Sequence, residues 1–287
     1  MSKILHRWTR LSSVKWEDAW EERLRFLGPE RVAFITWPNS RALKVQAYTD
    51  ARTAAQLVKN FGGSFTAVPP SSWSAAPAKP RQPLSVRGKL TVFSDEAAWK
   101  KHLAAKPKSP ALYIPAGMAF GTGDHATTAN CLRFLADHLA ELPANFSALD
   151  LGCGTGILAI AAEKFGAGSV EAVDFDPAAV RVTKENIRLN KARRVHASKG
   201  DALQLEDVGR YDLVLANLFS ELLISSSPRI ARVLRPKGTL IFSGVLRTQL
   251  AEVTTALKKA GFRPPSVTIR GKWCAGISQL TPSRSRR

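Results

Sequence analysis

The chain has 287 residues, 45% hydrophobic and 23% charged, a composition that excludes disordered and fibrous classes and allows two domains with real cores. A formal charge of +19, from 42 basic and 23 acidic residues, gives a field suited to a ribonucleoprotein or nucleic acid, or simply to solubility. No apolar run approaches the ~20 residues of a membrane helix, Met1 to Trp8 lacks a secretory apolar stretch, and the odd set Cys131, Cys153 and Cys274 has no metal-ligand spacing. A reduced, cytoplasmic protein with no membrane or metal partner is the expectation, and a monomer is the default.

In chain order, residues 4–11 form a predicted strand, and Trp16, Trp20, Leu24 and Leu27 fall at helical spacing until Gly28-Pro29 stops the helix. A second strand covers 31–37, Pro38-Asn39-Ser40 turns into a third over 42–48, and Asp50 caps a helix to residue 60. Gly62-Gly63 ends that helix before a strand over 64–68. The order β-α-β-β-α-β describes a ferredoxin-like α+β domain, 1–68, of a kind common in docking modules. Its tryptophans are expected in the core. Pro69, Pro70, Pro77, Pro80 and Pro83 among Ser and Ala make 69–84 a semi-rigid linker.

A second domain, 85–281, opens with a helix over 95–105, and residues 282–287 form a basic tail expected to be disordered, with weak phosphate affinity. Helices are predicted over 129–139, 157–165, 177–190 and 218–234. They alternate with strands over 146–149, 169–174, 211–216 and 239–243, followed by strands over 266–270 and 273–280. Such alternation specifies an α/β fold, a Rossmann-like, doubly wound parallel sheet.

The most informative stretch is Asp150-Leu151-Gly152-Cys153-Gly154-Thr155-Gly156, between a strand and a helix. A glycine turn there allows unusual backbone angles and close approach of a ligand, though it also serves as a tight turn alone. The dinucleotide pattern places its third glycine one residue later, where this chain has Ile157. That shift points away from a pyrophosphate and toward S-adenosylmethionine, with Asp150, Gly152, Gly154 and Gly156 as candidate binding residues. Asp174 ends the next predicted strand about 20 residues on, where ribose hydroxyls meet a carboxylate; the alternative is a solvated strand end. Asp176 with Pro177 reads as a helix cap followed by proline at the first helical position. Cys153 fits between the glycines as a small side chain, without a nucleophile's role.

Two segments complete the pattern. Phe120, Gly121, Thr122 and Gly123 form a mobile loop able to close over a small ligand, followed by Thr127 or Thr128 as a helix cap. The 211–216 strand delivers Asn217 to the carboxyl edge of the sheet, where ligands bind in open α/β folds.

Together, the 120–128 loop, the 150–156 elbow, Val173-Asp174-Phe175-Asp176-Pro177, Ala216-Asn217-Leu218 and Ser243-Gly244-Val245-Leu246 resemble the PrmA family of class I S-adenosylmethionine-dependent methyltransferases. The resemblance covers residue 85 onward; over 1–68 it rests on the ferredoxin-like order alone. It implies methylation of protein eleven of the large ribosomal subunit, free or near ribosomal RNA. It implies cofactor contacts from Thr128, Gly152, Asp174 and Asn217, with Phe120, Gly121, Thr122 and Gly123 over the methionine end. The chain departs from the family at Asp124 and Ala126, which loosens the loop and adds a carboxylate.

The expected reaction is in-line attack of a neutral lysine or N-terminal amine on the sulfonium methyl, with proximity and desolvation supplying the catalysis. Asn217 is the candidate catalytic residue, orienting amine or cofactor through its amide oxygen. His125 is either a proton acceptor or a loop-structuring residue. The alternatives are an RNA or small-molecule methyltransferase, or a catalytically inactive assembly-binding protein. Against base methylation, Asn217 is followed by Leu218-Phe219 rather than two prolines, and no cysteine follows a proline as a C5-methylating nucleophile does.

Overall fold

The computed structural model describes residues 5–24, 27, 31–37, 40–68, 82–115, 126–205 and 209–281. The chain divides into two compact units, Met1–Pro80 and Arg81–Arg287. Most of the predicted linker, Phe120 to Gly123 with Asp124 and His125, Gly28-Pro29 and the 282–287 tail lie outside the described residues.

In the first unit, β1 (Leu5–Ser13), α1 (Glu17–Leu24), β2 (Val32–Thr36), β3 (Ala42–Thr49), α2 (Ala51–Phe61) and β4 (Ser64–Val68) follow the predicted order. The strands lie side by side as β2-β3-β1-β4, every pair antiparallel, which is the ferredoxin-like arrangement. Alternate residues of the strands turn toward the helices. Trp8, Leu43, Val45 and Ala47 pack there with Trp20, Leu24 and Leu57 into one core. Trp8 and Trp20 meet at 5.9 Å between ring centroids, as expected of core tryptophans. Trp16 and Trp37 do not: they are 51% and 45% exposed, because each lies beyond the end of a strand rather than on its inner face. Asp50 caps α2, one oxygen accepting from the Thr53 amide at 3.0 Å and the other from its hydroxyl at 2.8 Å. These bonds hold the Asp50 carboxyl down at about 2.

The second unit opens with a small sheet absent from the sequence reading: β5 (Leu84–Val86), β6 (Leu90–Phe93) and β7 (Ala111–Tyr113), with α3 (Glu96–Ala104) capped by Asp95. These strands are three or four residues long, too short to show a period. Then follow α4 (Ala126–Asp137), β8 (Ser147–Leu151), α5 (Ile157–Lys164), β9 (Ser169–Asp174), α6 (Pro177–Leu189), β10 (Val195–Lys199) and β11 (Tyr211–Asn217). The chain continues through α7 (Ser220–Val233), β12 (Leu234–Leu246), α8 (Leu250–Lys259), β13 (Ser266–Arg270) and β14 (Trp273–Gln279).

The main sheet runs β10-β9-β8-β11-β12-β14-β13. The pairs from β10 through β12 are parallel, as the alternation predicts, and β14 runs antiparallel to both β12 and β13, a direction the sequence left open. The physical reason is the short return from β13 to β14 through Gly271 and Lys272, which can make only a hairpin. Successive residues face opposite sides. Ala148, Ala172, Leu213, Leu215 and Ile241 pack with α4, α5 and α6. Leu149, Val173, Val214, Leu240 and Phe242 pack with α7 and α8.

Candidate functional site

The parallel strands β8, β9, β10 and β11 all end at the same sheet edge, because each is followed by a crossover to a neighbour. That edge gathers the predicted residues of four elements. After β8, the amides of Gly152 and Cys153 both donate to the Val173 carbonyl, at 2.8 and 3.1 Å, and the Gly156 amide donates to the Cys153 carbonyl at 2.7 Å. Asp174 completes the elbow from β9. One carboxylate oxygen accepts from the Gly154 amide and the other from the Asp176 amide, each at 2.9 Å. Asp176 in turn caps α6 by accepting from the Ala178 amide at 2.8 Å, with Pro177 opening the helix as predicted.

Gly152 and Gly156 have φ of +73° and +76°, a region that favours glycine. What a Cβ would meet there is the protein itself. At Gly152 it would lie 2.5 Å from Leu218 Cδ2, and at Gly156 2.6 Å from Thr183 Cγ2. These two glycines therefore serve close packing of Leu218, just past β11, and of α6 under the elbow, which the expectation of ligand approach did not include. α6 braces the turn further: Thr183 Oγ1 donates to the Gly154 carbonyl at 2.9 Å and Asn186 Nδ2 to the Thr155 carbonyl at 2.8 Å. Gly156→Ala is expected to lower unfolding stability by about 1–3 kcal/mol through strain and overpacking, read by denaturant unfolding. A wild-type midpoint would show that the elbow relaxes freely. Cys153 is buried with Sγ 3.3 Å from Thr183 Oγ1, and burial pushes its thiol up, so it is no nucleophile.

Asp150 is 1% exposed beneath the first turn of α5, where one oxygen accepts from the Ala159 amide at 3.0 Å. Its other oxygen is buried with no partner among the described residues, and burial pushes the carboxyl up to about 7. Asn217 ends the adjacent strand, two residues beyond Leu215, the register partner of Asp150. Its Nδ2 donates to Thr128 Oγ1 at 3.2 Å, which turns Oδ1 the other way, buried and likewise without a donor. Thr127 and Thr128 stand inside α4, buried, not ahead of it as caps. Thr128 is instead the residue that orients the Asn217 amide.

Two unsatisfied acceptors, one of them a carboxyl, at the mouths of neighbouring strands call for a donor-rich or cationic group. The methionine ammonium of S-adenosylmethionine is such a group for the Asp150 carboxyl, a substrate amine N–H is one for Asn217, and the residues present fit both. Among the described residues no cluster of His, Cys, Asp or Glu is arranged to hold a metal.

Sequence reasoning missed three residues at this edge. Phe175, directly after Asp174, is 70% exposed, with Lys199 Nζ 5.7 Å from its ring centre. Gly200 and Asp201 follow β10, and the Gly200 amide donates to the Asp174 carbonyl at 3.0 Å. β10 itself, Val-His-Ala-Ser-Lys, is too polar to signal a strand, so the dipeptide had no frame to place it. Beside it lies a cavity of about 320 Å³ lined by Val173, Lys199, Asp201, Gln204 and Leu205 among others.

A parallel sheet in this order with an antiparallel strand on its far side, a glycine elbow after the central strand and an acid ending the next, defines the class I methyltransferase fold. The chain belongs to the ribosomal protein L11 methyltransferase (PrmA) family, whose model matches residues 3–281. A Bacillus cytotoxicus protein named ribosomal protein L11 methyltransferase is 36% identical over 208 residues, covering 72% of this chain and 64% of its own length. Its namesake from Bacillus cereus (strain Q1) gives the same 36% identity over 208 residues. The chain thus spans 64% of the length of these curated relatives. Among solved structures, a ribosomal protein L11 methylase from Lactobacillus delbrueckii subsp. bulgaricus is similar, with 28% identity and a TM-score of 0.62. The match covers 70% of this chain and 100% of that one. Among the described residues no helix is long and apolar enough to cross a membrane.

Proposed function

We propose that the chain is an S-adenosylmethionine-dependent protein methyltransferase that modifies lysine or N-terminal amines of large-subunit ribosomal protein L11, with the first unit docking that substrate. The pair of buried, donorless acceptors on Asp150 and Asn217 beside the glycine elbow carries the reading; the family and the names of the relatives supply the substrate. When bound, the cofactor supplies a methyl group on a positively charged sulfur. Asp174 would accept the ribose hydroxyls through the lone pairs its two backbone bonds leave free. Asp150 would face the ammonium, and Phe175 and Asp201 flank the space for the base. Asn217, held by Thr128, presents its amide oxygen to an incoming amine N–H and fixes the lone pair in line. Burial at this edge favours the neutral amine over the ammonium.

The test is incubation of the purified chain with methyl-labelled cofactor and total ribosomal proteins and RNA. A labelled band at L11 supports the reading; label in RNA, or none, refutes it. A second expectation concerns pH. With the Asp150 carboxyl near 7, it loses its charge as pH falls, and with it the attraction to the ammonium. Cofactor affinity measured by calorimetry should therefore weaken several-fold from pH ~7.5 to ~5.5, and Asp150→Asn should flatten that profile. A profile that Asp150→Asn leaves unchanged would exclude Asp150 from the site.

A further inference from the structure

The four strands of the first unit have two faces, and only one is covered by its helices. With Trp8, Leu43, Val45 and Phe34 turned toward α1 and α2, the alternation places Arg7 and Leu11 of β1, Lys44 and Tyr48 of β3 and Ile35 of β2 on the other face. The registers make a row of three across it: Ile35 pairs with Lys44, and Lys44 with Leu11. Arg7 pairs with Tyr48 two rows away, beyond the Thr9–Gln46 row, in which Gln46 is buried. Leu11 is 69% exposed, Ile35 38%, and Trp37, one residue past β2, 45%.

Among the described residues, acidic residues are confined to the helical layer of this unit, whereas basic residues occur in both layers. Of its six acidic residues, the five described ones lie off the strands: Glu17, Asp18, Glu21 and Glu22 in α1 and Asp50 at the start of α2; Glu30 is outside the described residues. Among the described residues the open face carries Arg7 and Lys44 and no acid. A basic, acid-free face with exposed apolar side chains, on a chain of net charge +19, complements a polyanion that also offers apolar surfaces. A duplex presents phosphates but hides its base faces, whereas a single strand presents both.

We propose that this face docks single-stranded RNA, leaving the helical layer of the same unit to dock the ribosomal protein substrate proposed above. Arg7 and Lys44 meet phosphates, while Trp37 stacks on a base and Leu11 and Ile35 cover the ribose and base edges. The function is to hold the chain close to nascent or exposed ribosomal RNA rather than to modify it.

The experiment is fluorescence anisotropy of a labelled 12-nucleotide single-stranded RNA with the full chain, titrated at several salt concentrations, with a duplex of the same sequence in parallel. Wild type should prefer the single strand. Arg7→Glu with Lys44→Glu should weaken binding at least tenfold and reduce the log–log salt slope by about 1.4, which is ~0.7 for each lost phosphate contact. Trp37→Ala should weaken it about tenfold with the slope unchanged. All three residues have side chains at least partly exposed to solvent, and an unchanged unfolding midpoint checks the fold; Arg7→Ala with Lys44→Ala repeats the test if the charge reversal unfolds. Wild-type affinity in these variants, or equal binding of duplex, overturns the proposal. So does loss of ribosomal protein methylation in the variants with RNA affinity intact, which would make the face a protein dock.

Discussion

Asp174→Ala should weaken S-adenosylmethionine binding about 100-fold in calorimetry. Two effects combine. Charge-assisted hydrogen bonds to ribose hydroxyls are worth ~2–3 kcal/mol together, and RT ln K converts that to roughly 30- to 150-fold. The same carboxylate also accepts the Gly154 and Asp176 amides, so its loss frees the elbow and the start of α6. Asparagine does not restore this arrangement. Both carboxylate oxygens face N–H donors, and an amide must set its own NH2 against one of them. Asp174→Asn is therefore expected to bind nearly as weakly as alanine, which separates this position from an ordinary solvated strand end, where asparagine is harmless. Wild-type affinity in both variants would remove Asp174 from the site.

Asn217→Ala should lower kcat by about 100-fold while changing cofactor affinity by no more than about threefold. The orienting contact is one that strengthens as the amine aligns, and contacts of that kind appear in kcat. Thr128→Val probes the same device indirectly. Valine keeps the shape and removes the hydroxyl that accepts from Asn217 Nδ2, so the amide is free to turn its NH2 toward the amine. A smaller loss, about tenfold, is expected, with the cofactor still bound. Single-turnover measurement with saturating cofactor reads both effects apart from product release. Equal turnover in Asn217→Ala and wild type would take Asn217 out of the mechanism.

Much of the site was visible before any coordinates. The alternating glycines, an acid some twenty residues on and an asparagine ending an apolar strand are all fixed by local requirements: backbone angle, strand polarity and the place of crossover turns. Legibility failed where a feature depended on partners far along the chain. Nothing near Gly156 in sequence says that Thr183 will crowd its α-carbon. Thr128 reads locally as a cap, and only the packing of α4 beside β11 makes it a partner of Asn217 across 89 positions. Likewise, Trp16 and Trp37 look like their buried counterparts until the strand ends fall just short of them.

What the sequence alone determined is the ferredoxin-like order of the first unit and, in the second, the elbow and the longer elements around it, because periodicity, capping and glycine placement act over a few residues. What only the tertiary structure decided is the antiparallel final strand, the two donorless acceptors and the uncovered, acid-free sheet face. Each of these is set by which distant segments come together. Pairing and burial are properties of the assembled chain, and a carboxyl such as Asp150 becomes a weak acid only once the rest of the fold has taken its water away.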